Sequence, residues 1–376
     1  MDTPRTPRDE AAEYIANPRF HQSVTLPARD DHKEMLISYA EYGCESDANN
    51  PTILFTPGMF GSRYVGMFMH AIAAKNKVRV LVPDRFGFGE TKNVPLASRI
   101  SAWTAVMPRF LEALGIKHVA LLSHSAGTMY NLNLLWHHRE ILHPTRPMIF
   151  FLAPFVDVAH SKVPMVLALQ KLPEASFAYW NKMASFFALK ASVMFGFSSG
   201  LLAQFAGALS PGNGEPSARE ANMKVIERDY GLGVDLQVEL ENAVARGLFA
   251  EETVGANHEA LTCLKKGPDA LWAEADDMAM LVKKVAARER ETRVEGRAAL
   301  RVGIFFAESD AMTGKAGQEY FQSCWTGQNG QYECSFNVRA TTIDKSDHDS
   351  VLRAAEALVD VIESVAETGM QDGSIA

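Results

Sequence analysis

The apolar positions along this chain follow two alternating rhythms. Short, nearly unbroken apolar runs recur at 35–42, 52–56, 78–82, 118–123, 147–153, 301–307 and 335–342, with 22–26 as one more edge candidate. Between them apolar residues return every three or four positions, over about 62–75, 98–114, 126–141, 317–325 and 350–367. The short runs read as strands buried on both faces, and the longer rhythm reads as amphipathic helices. Strands alternating with helices predict an α/β fold: a mostly parallel, eight-stranded sheet flanked by helices.

The alternation breaks once. Positions 154–300 show helical periodicity, many Met and Phe residues, and no convincing strand. Loops longer than about 15 residues rarely lack structure of their own, so this stretch predicts a helical lid inserted after the sixth strand. The expected division is a core of 1–155 and 298–376, with 156–297 as the lid. The first half of the insertion is apolar and carries Phe177, Tyr179, Trp180, Phe186, Phe187, Phe195, Phe197 and Phe205. The second half is charged, and Pro211-Gly212-Asn213-Gly214 separates the two. Within the first half, 191–209 has no charge and approaches membrane-spanning length, but Ser192, Ser198, Ser199, Gln204 and its glycines lower its hydrophobicity. Buried or pocket-lining helices are expected there, with interfacial membrane contact through the lid as the alternative.

Composition narrows the partners. A net charge of −8 and a pI near 5.8 give no electrostatic footprint for nucleic acid or an anionic membrane. The oligomeric state is not legible. Cys44, Cys263, Cys324 and Cys334 lack metal-ligand spacing and form no CxxC, so reduced thiols in a cytoplasmic protein are expected. The N-terminal Met1-Asp2-Thr3-Pro4-Arg5 has no apolar run of the kind a secretory signal needs. The turn Asp84-Arg85-Phe86-Gly87-Phe88-Gly89 lacks the third glycine and the following acidic residue of a dinucleotide site and reads as a structural loop. No cofactor and no metal are expected.

Candidate chemistry sits where the run 118–123 gives way to the helix after it. Ser123-His124-Ser125-Ala126-Gly127 is a strand-to-helix turn with small residues two places either side of Ser125. Such a strained turn holds a serine hydroxyl out at the carboxyl edge of the sheet, and the helix N-terminus behind it favours developing negative charge. A helix-capping serine is the plainer alternative. A serine at its ordinary pKa needs a base, and the base an orienting acid. Asp310 lies just past the strand-like run 301–307, and His348 lies in the loop before the last helix. Glu308 and Asp157 are rival carboxylates. Among rival imidazoles, His124 is expected to point away from Ser125 and pack beneath the turn, while His137 and His138 are expected on the helix surface or in packing; His160 is a further histidine. Pro57-Gly58-Met59-Phe60-Gly61 follows the run 52–56, and the backbone N–H groups of Met59 and Ala126 are candidates for an oxyanion hole.

These features, in this order, resemble the α/β-hydrolase fold family, and its members with a lid after the sixth strand, over about 35–155 and 298–367. The resemblance implies a hydrolase with Ser125 as nucleophile, His348 as general base and acid, Asp310 as its carboxylate, and Met59 and Ala126 as oxyanion donors. Three departures stand out: Pro57 in place of the usual histidine, Ser123 in place of the first glycine of the turn, and Ala307 where a glycine is common. Serine at 125 argues against the aspartate-nucleophile epoxide hydrolases and haloalkane dehalogenases of the family. The expected function is therefore an acyl-enzyme serine hydrolase acting on a bulky hydrophobic ester, thioester or lactone, as a tailoring step of secondary metabolism. Carbon–carbon bond hydrolysis, or condensation or cyclisation by the same triad, is the alternative reaction. A non-catalytic binder of a hydrophobic ligand is the alternative class, since a fold does not fix a function.

Overall fold

A computed structural model describes residues 5–28, 34–45, 50–182, 216–268, 271–292, 296–327 and 330–372. Eight strands form one sheet: β1 (Gln22–Leu26), β2 (Met35–Gly43), β3 (Thr52–Thr56), β4 (Arg79–Pro83), β5 (Ala120–His124), β6 (Met148–Leu152), β7 (Leu300–Ser309) and β8 (Phe336–Asp347). Their spatial order is β1-β2-β4-β3-β5-β6-β7-β8. β1 and β2 enter antiparallel, and every pairing from β4 through β3 to β8 is parallel. The strands at the centre, β3 to β6, are buried at every position because helices cover both faces. Edge strand β1 instead alternates partly buried and exposed residues.

Side chains alternate between two core layers. Leu54, Leu121, Ile149, Phe151, Val302 and Ile304 face one layer, which holds helices Arg99–Ala113, Gly127–His137 and Gly314–Thr326. Phe55, Leu122, Phe150 and Phe305 face the other, which holds His70–Lys75 and Ala355–Asp372. The order of strands matters for function. β3 and β5 are neighbours, with Thr56 opposite Ser123, so the turns that follow both strands meet at the same carboxyl edge.

Between β6 and β7 the described residues contain helices and no strand, the longest being Pro216–Tyr230, Val234–Ala250 and Met278–Glu291. Met278, Leu281, Val282 and Val285 of the last helix pack into the same layer as Gly127–His137, so this end of the insertion is built into the core. The 191–209 stretch lies outside the described residues, as do Phe186, Phe187, Phe195, Phe197, Phe205 and the 211–214 break. Among the described residues no helix is long and apolar enough to cross a membrane. An additional helix, Pro7–Ile15, has too short a pattern to stand out in the sequence; a capping box between Thr6 and Asp9 starts it. Cys44, Cys263 and Cys324 form no disulfide.

Candidate active site

β5 ends at His124, and the chain turns into helix Gly127–His137 through Ser125, whose φ of 49° lies in the left-handed region. A non-glycine residue there costs on the order of 1–3 kcal/mol, so its neighbours must hold it. They do so at both ends. The Ser125 N–H donates to the Leu152 carbonyl at 3.1 Å, and the Ser125 carbonyl accepts from the Thr128 N–H at 3.0 Å and the Thr128 hydroxyl at 2.7 Å. Glycine at 127 is required by close approach: a Cβ there would lie 2.1 Å from the Thr56 carbonyl oxygen.

The raised hydroxyl meets His348, with Ser125 Oγ 2.7 Å from His348 Nε2. The other ring nitrogen, Nδ1, lies 3.0 Å from each carboxylate oxygen of Asp310. Asp310 Oδ1 also accepts from the backbone N–H groups of Met312 at 2.9 Å and Thr313 at 2.7 Å. Burial opposes charge on both partners. Their mutual attraction and hydrogen bonds win, holding Asp310 below the usual carboxylate range and lifting His348 to about 9. The result is an unbroken line from hydroxyl to imidazole to carboxylate.

Over Ser125 lies a cavity of about 170 Å³ with mostly apolar walls. The core contributes Met59, Phe68 and Phe155, and the insertion contributes Val166, Phe177, Trp180, Val244 and Leu248. Phe177 and Trp180 are buried, whereas Tyr179 between them is 67% exposed, so the aromatic content of this segment divides between the cavity and solvent.

Comparison with known proteins agrees with this fold. The model of the alpha/beta hydrolase family matches residues 53–361. The chain belongs to that family. Membership supports a hydrolase. No curated sequence matches the chain. In fold, this hydrolase is similar to an esterase from Thermogutta terrifontis, at 12% identity and a TM-score of 0.53 over 93% of this chain and 99% of that one. It is likewise similar to an epoxide hydrolase from Vigna radiata, at 14% identity and a TM-score of 0.54 over 93% and 99%. A carboxylesterase from Nitrososphaera gargenis is a third, at 13% and 0.50 over 93% and 100%. At these identities the likeness is one of fold.

The rival groups of this hydrolase are engaged elsewhere. Asp157 caps helix Val158–Ser161 through the Ala159 N–H and pairs with Lys265 at 2.6 Å. Glu308 is exposed and accepts from the Lys345 backbone N–H. His137 pairs with Glu274, His138 with Glu140, and His160 stacks on Tyr320. Ser123 is fully buried in β5, and its hydroxyl has no hydrogen-bond partner, so it fills the place of a glycine without a polar role.

Two side chains at the site carry no sequence signal of their role. His124 is buried, as its place beneath the turn implies, but its ring lies beside that of His348 with centroids 5.3 Å apart. Its Nε2 is 2.9 Å from the His348 carbonyl, and burial lowers its pKa to about 3. A neutral His124 therefore donates to the backbone that carries His348. Asp349 lines the cavity, and burial, reinforced by Asp347 and Asp310, pushes its carboxyl up to about 7. Ligand atoms of His124, His348 and Asp349 lie within 4.8 Å of one another. Both nitrogens of His348 and one of His124 are already committed, so a metal there would have to break the serine–histidine–aspartate line or its support.

Proposed function

We propose that this chain is a serine hydrolase that forms an acyl-enzyme with hydrophobic esters, thioesters or lactones. The carrying observation is the hydrogen-bonded line Ser125–His348–Asp310 at the floor of an apolar cavity. In this reading His348 Nε2 accepts the proton of Ser125 Oγ as the oxygen attacks the substrate carbonyl, and later returns it to the leaving group. Asp310 keeps the second proton of the ring on Nδ1. The negative charge that develops on the carbonyl oxygen falls between the turn after β3 and the start of helix Gly127–His137. There the backbone N–H groups of Met59 and Ala126 are the donors, supported by the helix dipole. Gly58 fits that role, since a Cβ on it would lie 3.1 Å from Ser125 Cβ, so the two turns are in contact.

Labelling with a fluorophosphonate tests the reading. Stoichiometric modification of Ser125, lost in Ser125→Ala, is expected; folded wild-type protein that does not react overturns it. The apolar walls add a second expectation. Nitrophenyl esters of intermediate and longer acyl chains should show higher kcat/KM than acetate, because each buried methylene contributes about 0.8 kcal/mol. A flat or reversed series removes the hydrophobic substrate class.

A further inference from the structure

The turn Pro57-Gly58-Met59-Phe60-Gly61 contains no side-chain donor with which to fix its own peptide groups. An arginine from another turn supplies them. Arg85, fully buried after β4, donates from Nη1 to the Pro57 carbonyl, from Nη2 to the Gly58 carbonyl at 2.6 Å, and from Nη2 to the Met59 carbonyl at 3.3 Å. The Gly58 carbonyl also accepts from the Gly61 N–H at 2.8 Å. A trans peptide unit is planar, with its C=O and N–H pointing in opposite directions. Holding the Gly58 carbonyl toward Arg85 therefore turns the Met59 N–H the other way.

Arg85 is itself held by the insertion. Helix Gly255–Cys263 docks on the arginine turn, with the Gly255 N–H donating to the Gly87 carbonyl at 2.9 Å. Its Glu259, with no exposed surface, accepts at Oε1 from Arg99 at 2.6 Å and from the Tyr130 hydroxyl at 2.5 Å. The other oxygen, Oε2, faces Arg85 Nε at 3.6 Å, and neither atom has another hydrogen-bond partner. A buried carboxylate oxygen and a buried guanidinium N–H this close form an ion pair that neither group can exchange for water.

We propose that Arg85 is a positioning residue for the oxyanion hole and that Glu259 sets its place, so that the insertion helix Gly255–Cys263 controls the alignment of the Met59 N–H. This inference rests on the serine-hydrolase reading. It makes the insertion part of the catalytic geometry as well as a wall of the substrate cavity. The charge on Arg85 is less important here than its fork. A lysine keeps the cation but cannot reach two adjacent carbonyls in one plane.

The experiment compares Arg85→Lys, Glu259→Gln and, as a control, Glu251→Gln with wild type. Glu251 forms an ion pair between insertion and core at 2.6 Å to Arg63, as close as that of Glu259 to Arg99, but touches none of the 57–59 carbonyls. Fluorophosphonate counts active sites, a nitrophenyl ester gives kcat and KM, and a trifluoromethyl ketone, which forms an oxyanion adduct with serine, gives transition-state-like affinity. Arg85→Lys should lower kcat about 10- to 100-fold at nearly unchanged KM and weaken the ketone by a similar factor, the range expected for a misaligned oxyanion donor. Glu259→Gln should give the same signature at about 3- to 10-fold, and Glu251→Gln should stay within about twofold of wild type. Equal losses in all three variants, or unchanged ketone affinity in folded Arg85→Lys, overturn the proposal. Wild-type protein that neither labels nor turns over esters overturns both this and the reading it rests on. If Arg85→Lys and Glu259→Gln do not fold, the crystal structure of the phosphonylated wild-type protein decides. Arg85 on the Gly58 carbonyl with the Met59 N–H on the phosphonyl oxygen supports the proposal, and a Gly58 carbonyl turned away from Arg85 overturns it.

Discussion

Asp310→Asn is the sharpest probe of the candidate site, because the hydrogen bonds around Asp310 dictate how an asparagine would sit. Oδ1 accepts two backbone N–H groups, from Met312 and Thr313, and an amide nitrogen cannot take that position. The asparagine carbonyl must therefore occupy the Oδ1 place, which aims its NH2 group at His348 Nδ1. Nδ1 is equally far from both positions, so the NH2 donor competes with the carbonyl for it and favours the tautomer whose proton sits on Nε2, the atom 2.7 Å from Ser125 Oγ. In that tautomer His348 presents an N–H to the serine and cannot accept its proton. With the cavity and the turn after β3 left intact, the loss falls on the chemical step. We expect kcat to fall by roughly 10³- to 10⁴-fold, or about 4–5.5 kcal/mol of barrier, with KM changed little. Steady-state turnover of a nitrophenyl ester, paired with the rate of fluorophosphonate labelling, measures it. Folded Asp310→Asn retaining activity within tenfold of wild type would refute the reasoning and return the acid role to Asp157 or Glu308.

The remaining predictions concern pH and the turn. His348 must be neutral to act as a base, and its pKa is raised toward about 9, so kcat/KM should rise with pH with a midpoint above the ordinary histidine value of 6.5. Asp349→Asn should move that midpoint down, because it removes a carboxylate that ionises near 7 beside the ring; a midpoint at or below 6.5 in wild type contradicts this. The same raised pKa means that the His348–Asp310 pair contributes its full stabilisation between the ordinary carboxylate range and about 6.5, loses it as pH rises through about 9, and loses it again in acid as Asp310 is protonated. Melting temperatures of wild type and Asp310→Asn should thus converge at alkaline pH. Gly127→Ala places a Cβ against the Thr56 backbone and should destabilise by about 2–4 kcal/mol in denaturant unfolding while also lowering kcat; wild-type stability in that variant refutes the tight apposition of the two turns.

Much of the fold is legible in the chain because its strands are short apolar runs and its helices keep a 3.6-residue rhythm. Runs such as 52–56 and 301–307 match β3 and the greater part of β7, and the long strandless interval marks the insertion. Helix Pro7–Ile15 escapes the pattern because its start is set by a local cap and it buries only Ala11. At the site, the sequence points to Ser125 through the small residues of its turn, and to His348 and Asp310 through their places after strands. It cannot join them, since Ser125 and His348 are 223 positions apart and their contact depends on which strands pair. The strand order puts the ends of β5, β7 and β8 at one edge, and a hydrogen bond of 2.7 Å is set by packing at that edge rather than by any local preference. The same holds more strongly for Arg85, Glu259, His124 and Asp349. Each is an ordinary polar residue in the sequence, and each acquires its role only when burial removes water and leaves one set of partners within reach.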